Sequence, residues 1–328
     1  MKKTLIPLAC LLVTMLNIPV QAAWPDKVFA PYMYIGMGDN FKLTACDDAC
    51  GVKYYTLAFI IARQEGNGDK AVYHPEPAWD GHTPIEENLY KGQIDAIRSR
   101  GGDVIMSFGG EGGKEMANEI QDTNQLEAAY QKVIDQYHFT WLDFDVEGNN
   151  LDNGKLDSER RNTVLADLQK KNPGLIISYT LPVDPHGISQ QSQDLLTDAV
   201  QKGVKIHSVD IMVMYFGKEF VGHGKSEGEL GIESANTAYA QVQKIDPNIR
   251  IGLCPCLGRN GSSAEVFTLE DAKTLKAFAD QTPWVCSLHY WSINDDAGRK
   301  HHHKDDDSTV QPQSYAFAKV FGTFGTKQ

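Results

Sequence analysis

The sequence predicts an α/β protein of a single domain, a (β/α)8 TIM barrel. Short apolar runs alternate with amphipathic stretches along the 328-residue chain, the pattern of repeated strand–helix units around a parallel sheet. Eight strand-like and seven helix-like segments can be counted, and no G-x-G-x-x-G follows the first strand, which disfavours an open dinucleotide-binding sheet. Polar and glycine-containing stretches recur just past the strand-like runs, where barrels keep their chemistry.

In chain order, the first segment is a leader. Lys2-Lys3 precede an apolar stretch from Leu5 to Val20, and Val20-Gln21-Ala22 fits a small-residue cleavage site. This reads as a secretory signal peptide over 1–22, cut after Ala22, with the barrel in 23–328. No later segment approaches the roughly 20 apolar residues of a membrane span. Strands are expected at 28–35, 54–61, 103–108, 138–147, 175–181, 208–215, 249–253 and 285–291. Helices are expected at 85–100, 114–136, 155–171, 189–202, 231–245, 268–280 and 311–320. The first crossover, 36–52, is too polar and glycine-rich to predict a helix.

The net charge of -12 disfavours a polyanionic partner such as nucleic acid or an anionic membrane and is compatible with a neutral polymer. Export turns cysteine spacing into disulfide candidates. Cys46 and Cys50 flank a short turn, and Cys254 or Cys256 would face Cys286 if their strands are adjacent; an odd number of cysteines past the leader leaves at least one unpaired. His301-His302-His303-Lys304-Asp305-Asp306-Asp307 reads as a solvated charged loop rather than a metal site, because consecutive residues rarely converge on one ion.

The most informative run is Trp141-Leu142-Asp143-Phe144-Asp145-Val146-Glu147-Gly148. Side chains two apart on a strand share a face, so Asp143, Asp145 and Glu147 project together, about 6.6 Å between neighbours. At an effective dielectric of about 20, charges at that separation repel by roughly 2.5 kcal/mol. Such a row holds a proton above the usual carboxyl range, and a protonated Glu147 beside an ionised Asp145 is the expected product. Alternating acids more often mark a solvated sheet face, but the bulky intervening residues and the abrupt Gly148-Asn149-Asn150 end suit a barrel mouth. A carboxylate metal site usually draws on a loop rather than a strand. No basic residue lies nearby in sequence to make an ion-pair network.

Ser107-Phe108-Gly109-Gly110, followed one β-α unit later by Asp143-Phe144-Asp145-Val146-Glu147-Gly148, resembles the paired signature of glycoside hydrolase family 18, the chitinases and endo-β-N-acetylglucosaminidases. Phe29-Ala30-Pro31-Tyr32, Tyr55-Thr56-Leu57-Ala58-Phe59, Ser178-Tyr179-Thr180-Leu181-Pro182, Glu265-Val266-Phe267-Thr268-Leu269 and Trp291-Ser292-Ile293-Asn294 are similar to a bacterial chitinase branch of it. The resemblance implies a substrate-assisted retaining glycosidase with no cofactor and no metal, in which Glu147 protonates the glycosidic oxygen and the sugar's acetamido oxygen attacks its own C1. Asp145 would hold the acetamido nitrogen, Asp143 would tune Asp145, and Tyr215 would bond the acetamido carbonyl. Trp291 would floor the sugar subsite, and Ser107, Gly109, Gly110, Met212 and Met214 would line it.

The chain departs from the family's pattern at three places. Thr140 stands where the family carries a further Asp and Trp141 where a Gly is common. Met214-Tyr215-Phe216-Gly217 replaces a Met-Asp-Tyr-Gly string, which displaces the tyrosine by one position. The expected partner is chitin, a chito-oligosaccharide or another N-acetylglucosamine-containing glycan, met by a monomer. Cleavage of the chitobiose core of N-glycans and a silent, lectin-like sugar binder are the alternatives.

Overall fold

The computed structural model describes residues 23–36, 41–66, 70–152, 154–298 and 314–326. The leader and the His301 to Asp307 run lie outside the described residues. In chain order the strands are β1 (Val28–Phe29), β2 (Tyr32–Tyr34), β3 (Tyr54–Glu65), β4 (Val72–Trp79), β5 (Thr83–Pro84), β6 (Asp103–Gly109) and β7 (Trp141–Asp145). They continue as β8 (Ile176–Asp184), β9 (Gly187–Ile188), β10 (Ile206–Met212), β11 (Arg250–Cys254), β12 (Gly258–Arg259), β13 (Val266–Phe267) and β14 (Val285–Leu288).

A parallel sheet runs β14-β11-β10-β8-β7-β6-β3, and it closes because β1 pairs with β14 while β2 pairs with β3. Pro31 has no N–H to give a ladder, so the first barrel strand is split around it into β1 and β2. The result is the predicted eight-stranded barrel. Three short antiparallel additions were not expected from the sequence: β4 on the extended end of β3, β9 on β8, and the β12–β13 ribbon. β9, β12 and β13 are too brief to stand out from loop sequence, and Pro75 and Pro77 break the strand pattern of β4.

The helices are α1 (Leu43–Cys50), α2 (Lys91–Ser99), α3 (Met116–Glu119), α4 (Thr123–Tyr137), α5 (Gly148–Asp152) and α6 (Lys155–Lys171). They continue as α7 (Gln190–Lys202), α8 (Glu227–Val242), α9 (Leu269–Gln281), α10 (Ile293–Asp296) and α11 (Ala316–Phe321). The crossover judged too polar for a helix holds α1, ended by Gly51 in the left-handed region at φ 75°. The expected helix over 114–136 is broken at Ile120 and restarts where the Asp122 side chain accepts from the Gln125 N–H. α8 starts four residues before its expected position, at a Ser226/Glu229 capping box. Among the described residues no helix is long and apolar enough to cross a membrane.

On β7 the alternation places Leu142, Phe144 and Val146 in the apolar layer under the helices and turns Trp141, Asp143 and Asp145 into the barrel. Trp141 finds room because the amino end of the barrel is closed by an apolar cluster of Val28, Ala30, Ile105 and Trp141 itself, with Trp24 and Ile176 packed against it. The Trp24 and Trp141 rings meet edge-on at 5.0 Å, and the Trp24 indole donates to Thr140 Oγ1 at 3.0 Å. Both departures from the family pattern on this strand are thus used in the barrel floor.

Outside the strands, Arg161 of α6 is buried against Glu115 at 3.1 Å. The Tyr130 hydroxyl and the Ala117 N–H also donate to Glu115. Removing one charge of such a pair strands the other in an apolar interior. Glu115→Gln should therefore cost about 3–5 kcal/mol, read as a lower urea midpoint with unchanged slope.

Candidate active site

β6 and β7 approach unusually closely at their carboxyl ends. Gly109 holds φ 101°, and a Cβ there would lie 2.1 Å from the Asp145 carbonyl oxygen. At Gly110 a Cβ would strike the Phe59 ring at 2.6 Å. These two glycines make room for backbone and ring. β7 itself ends at Asp145, short of its expected end, because Gly148 at φ 52° opens α5. Glu147 therefore sits on the turn between strand and helix, at the rim, rather than in the ladder.

Asp143 is buried at the barrel centre and accepts four hydroxyl bonds. Oδ2 takes Ser107 Oγ at 2.6 Å and the Tyr32 hydroxyl at 2.9 Å. Oδ1 takes Ser178 Oγ at 2.9 Å and Thr180 Oγ1 at 3.0 Å. Ser107 is fully buried and committed to Asp143, so it supports the acid row and does not line a sugar subsite. Across the barrel, Asp210 faces His289 Nε2 at 3.5 Å and accepts from Ser287 Oγ at 2.9 Å. His289 Nδ1 lies 2.7 Å from the Ala30 carbonyl. Tyr32, Ser178, Thr180, Asp210 and His289 were given no role from the sequence. Their one signal was polarity at alternate positions of runs that otherwise read as buried.

Electrostatics couples these groups. Burial raises Asp143 to about 6, with the Asp210 charge adding to the effect and the hydroxyl donors opposing it. Burial also raises Asp145 well above the usual carboxyl range, and the charges of Glu147 and Asp143 push the same way. Glu147 is raised to about 7, first by burial and then by Glu111, while its hydrogen bond with Asp145 pulls it back. For Asp210, burial is outweighed by the facing His289, so it is held low.

The row holds a proton near neutrality, as its spacing predicted. Asp145, the more deeply buried partner, and Glu147 are hydrogen-bonded to each other and share that proton. The other Asp145 oxygen, Oδ1, is buried without a hydrogen-bond partner.

Above the acids lies an aromatic floor. Trp291 is partly buried and stacks on Phe59, with centroids 5.8 Å apart and planes at 17°. Tyr32 and Tyr34 tilt against it at 6.0 and 5.6 Å. Met214 packs into this cluster beside Cys254, and Met212 closes β10. Tyr215 lies on the rim with φ 52° and is 55% exposed, its N–H held by Asn260 Oδ1 at 2.8 Å. Phe216 is buried in the apolar core, so the position after Tyr215 carries no hydroxyl.

Cys46, Cys50, Cys254 and Cys286 carry free thiols. Cys254 follows the inward-facing Gly252 by two residues, whereas Cys286 adjoins the inward-facing Ser287 and turns outward, so the suggested pairing across β11 and β14 fails. Cys46 and Cys50 lie one turn apart on α1 with their sulfurs 3.3 Å apart. Among the described residues no three His, Cys, Asp or Glu side chains converge to hold a metal ion.

Because Glu147 is raised from 4.5 to about 7, the folded chain binds more protons than the unfolded chain between those values. Stability present below about 4.5 is lost as pH climbs to about 7. Glu147→Gln escapes that loss, so its Tm relative to the parent should rise across this window and level off above it, measured by calorimetry in a pH series.

No family model matches the chain. A thermostable chitinase of Pyrococcus furiosus, whose active domain 2 was solved as catalytic-site mutants complexed with chito-oligosaccharides, is 30% identical with a TM-score of 0.76. That alignment covers 93% of this chain and 96% of that one. A probable bifunctional chitinase/lysozyme of Escherichia coli (strain K12) is 27% identical over 93% of this chain, which spans 35% of the relative's length. Endochitinase 11 of Metarhizium anisopliae is 28% identical over 83% of this chain, and 53% of that relative is covered. With the barrel, the inward acid row and 30% identity to a solved chitinase domain over 93% of the chain in agreement, the chain belongs to glycoside hydrolase family 18.

Proposed function

We propose that the chain hydrolyses β-1,4-linked N-acetylglucosamine in chitin or chito-oligosaccharides by a substrate-assisted retaining mechanism. The observation that carries this is the buried, unpartnered Asp145 Oδ1 beside a carboxyl pair that shares a proton. An orphaned buried acceptor costs about 1–3 kcal/mol, and an acetamido N–H supplies the missing donor.

The sequence of events follows from that bond. Donation from the sugar's N–H favours ionised Asp145, and the shared proton passes to Glu147. Glu147 then protonates the glycosidic oxygen as the acetamido oxygen attacks C1, and the bond between C1 and the leaving oxygen breaks. The resulting oxazolinium cation lies over Asp145 and Asp143, whose negative charge offsets it. Water attacks C1, Glu147 takes back a proton, and the anomeric configuration is retained. Trp291, stacked on Phe59, offers an apolar face for the sugar ring. The relative from Pyrococcus furiosus, solved with chito-oligosaccharides, supports this substrate class. The polymer lies outside the cell, in keeping with an export leader over residues 1–22.

Glu147→Gln should lower kcat/KM on chitotetraose by about 10²–10⁴ while the circular dichroism spectrum stays unchanged. Retained turnover would remove Glu147 as the acid. In the parent chain, kcat/KM should fall as pH rises through about 7, where Glu147 loses its proton. N-terminal sequencing of the exported protein should begin at Ala23.

A further inference from the structure

A hydrogen-bond chain links the barrel floor to the acid row. The Trp141 indole Nε1–H donates to Ser178 Oγ at 2.9 Å, and the Ser178 hydroxyl donates onward to Asp143 Oδ1 at 2.9 Å. Trp141 and Asp143 are two apart on β7, and Ser178 is the register partner of Asp143 on β8, so strand pairing itself aligns the three groups. We infer that Trp141 is a positioning residue for the acid row: by occupying the acceptor side of Ser178 it holds that hydroxyl's proton on Asp143, and so favours the ionised form of Asp143 from below. The inference rests on the hydrolase reading for its catalytic consequence, but the hydrogen-bond chain can be tested without it.

Three features make Trp141 suited to this. It is buried, so its indole N–H has no water to turn to, and a buried donor without a partner is costly. Its ring is fixed edge-on between Trp24 at 5.0 Å and His207 at 4.8 Å, so the N–H direction is set by packing. The His207 ring against it is pushed down to about 4 by burial and by Arg250, which is itself paired with Asp26, so the imidazole is neutral in the working range. The groups facing Asp143 from other elements are Tyr32 on β2, Ser107 on β6, Asp210 on β10, Cys254 on β11 and His289 on β14, with Asp145 on its own strand. Of all these contacts, the Ser178 hydroxyl has a second, indole partner behind it.

Two measurements test this. The Trp141 indole proton resonance, followed by NMR in the intact chain, should titrate with the same midpoint as the Asp143 carboxyl carbon, and Ser178→Ala should abolish that response. Trp141→Phe keeps the ring against Trp24 and His207 but deletes the donor. It should raise the Asp143 midpoint and lower kcat/KM on chitotetraose about threefold at pH 5, less than a direct hydrogen bond is worth, with the value at pH 8 within about twofold of the parent, as a bond to one protonation state requires.

An indole that is silent through the Asp143 titration, or an Asp143 midpoint unmoved by Trp141→Phe, overturns the inference. A uniform loss at all pH values would mark Trp141 as structural only, and would overturn it too. If Trp141→Phe does not fold, the indole titration in the parent and in Ser178→Ala still decides. A parent chain that cleaves no chito-oligosaccharide while its indole follows Asp143 would sink the hydrolase reading and leave the chain of bonds intact.

Discussion

One carboxylate organises the interior of this barrel. Asp143 is removed from water and must be compensated where it lies, and the compensation comes from four hydroxyls on three strands: Tyr32 on β2, Ser107 on β6, and Ser178 and Thr180 on β8. Among the described residues no cationic side chain is paired with it. Hydroxyl donors stabilise a buried charge without cancelling it, and that difference matters for the two acids above. An arginine at this depth would hold all three carboxyls low, whereas hydroxyls leave Asp143 at about 6 and allow its charge to push Asp145 upward.

The rest of the interior is layered around this requirement. Below Asp143, the floor of Val28, Ala30, Ile105 and Trp141 excludes water. Level with it, Asp210 and His289 form a compensated pair whose residual charge contributes to the Asp143 shift. Above it, Asp145 and Glu147 share a proton under a floor made of Trp291, Phe59 and Tyr32. The buried Arg161 is kept outside the strands and neutralised there by Glu115. The barrel thus separates two kinds of compensation. Ion pairing ties α6 to the start of α3, and neutral hydrogen bonding tunes the row.

The departures from the family pattern fall into this arrangement in different ways. Trp141 occupies volume that a glycine would leave open, and its N–H extends the hydroxyl network by one step. Thr140 receives the Trp24 indole and so helps hold the floor shut. The Tyr215-Phe216 change has a different character, because it moves a hydroxyl out to an exposed rim and buries a phenyl ring in its place. The first two adjust the electrostatics beneath the acids, and the third alters what a substrate meets at the mouth.

Much of this was legible in the chain. The eight barrel strands, the helices α6 and α7, and the common face of Asp143 and Asp145 follow from apolar period and strand alternation, which act over a few residues and need no distant partner. The turn after Asp145 was not legible, because a strand-like run does not show where the backbone leaves the ladder. Spacing says that three acids repel, but burial, the first cause of the rise at both Asp145 and Glu147, comes from the closed barrel. Roles for Tyr32, Ser178 and Thr180 could not be read from residues 111 to 148 positions away and about 35 positions away along the chain. Local sequence determined which side chains face inward. Only barrel closure, through non-local strand pairing, decided which hydroxyls reach which carboxylate, and that contact sets the charge of the site.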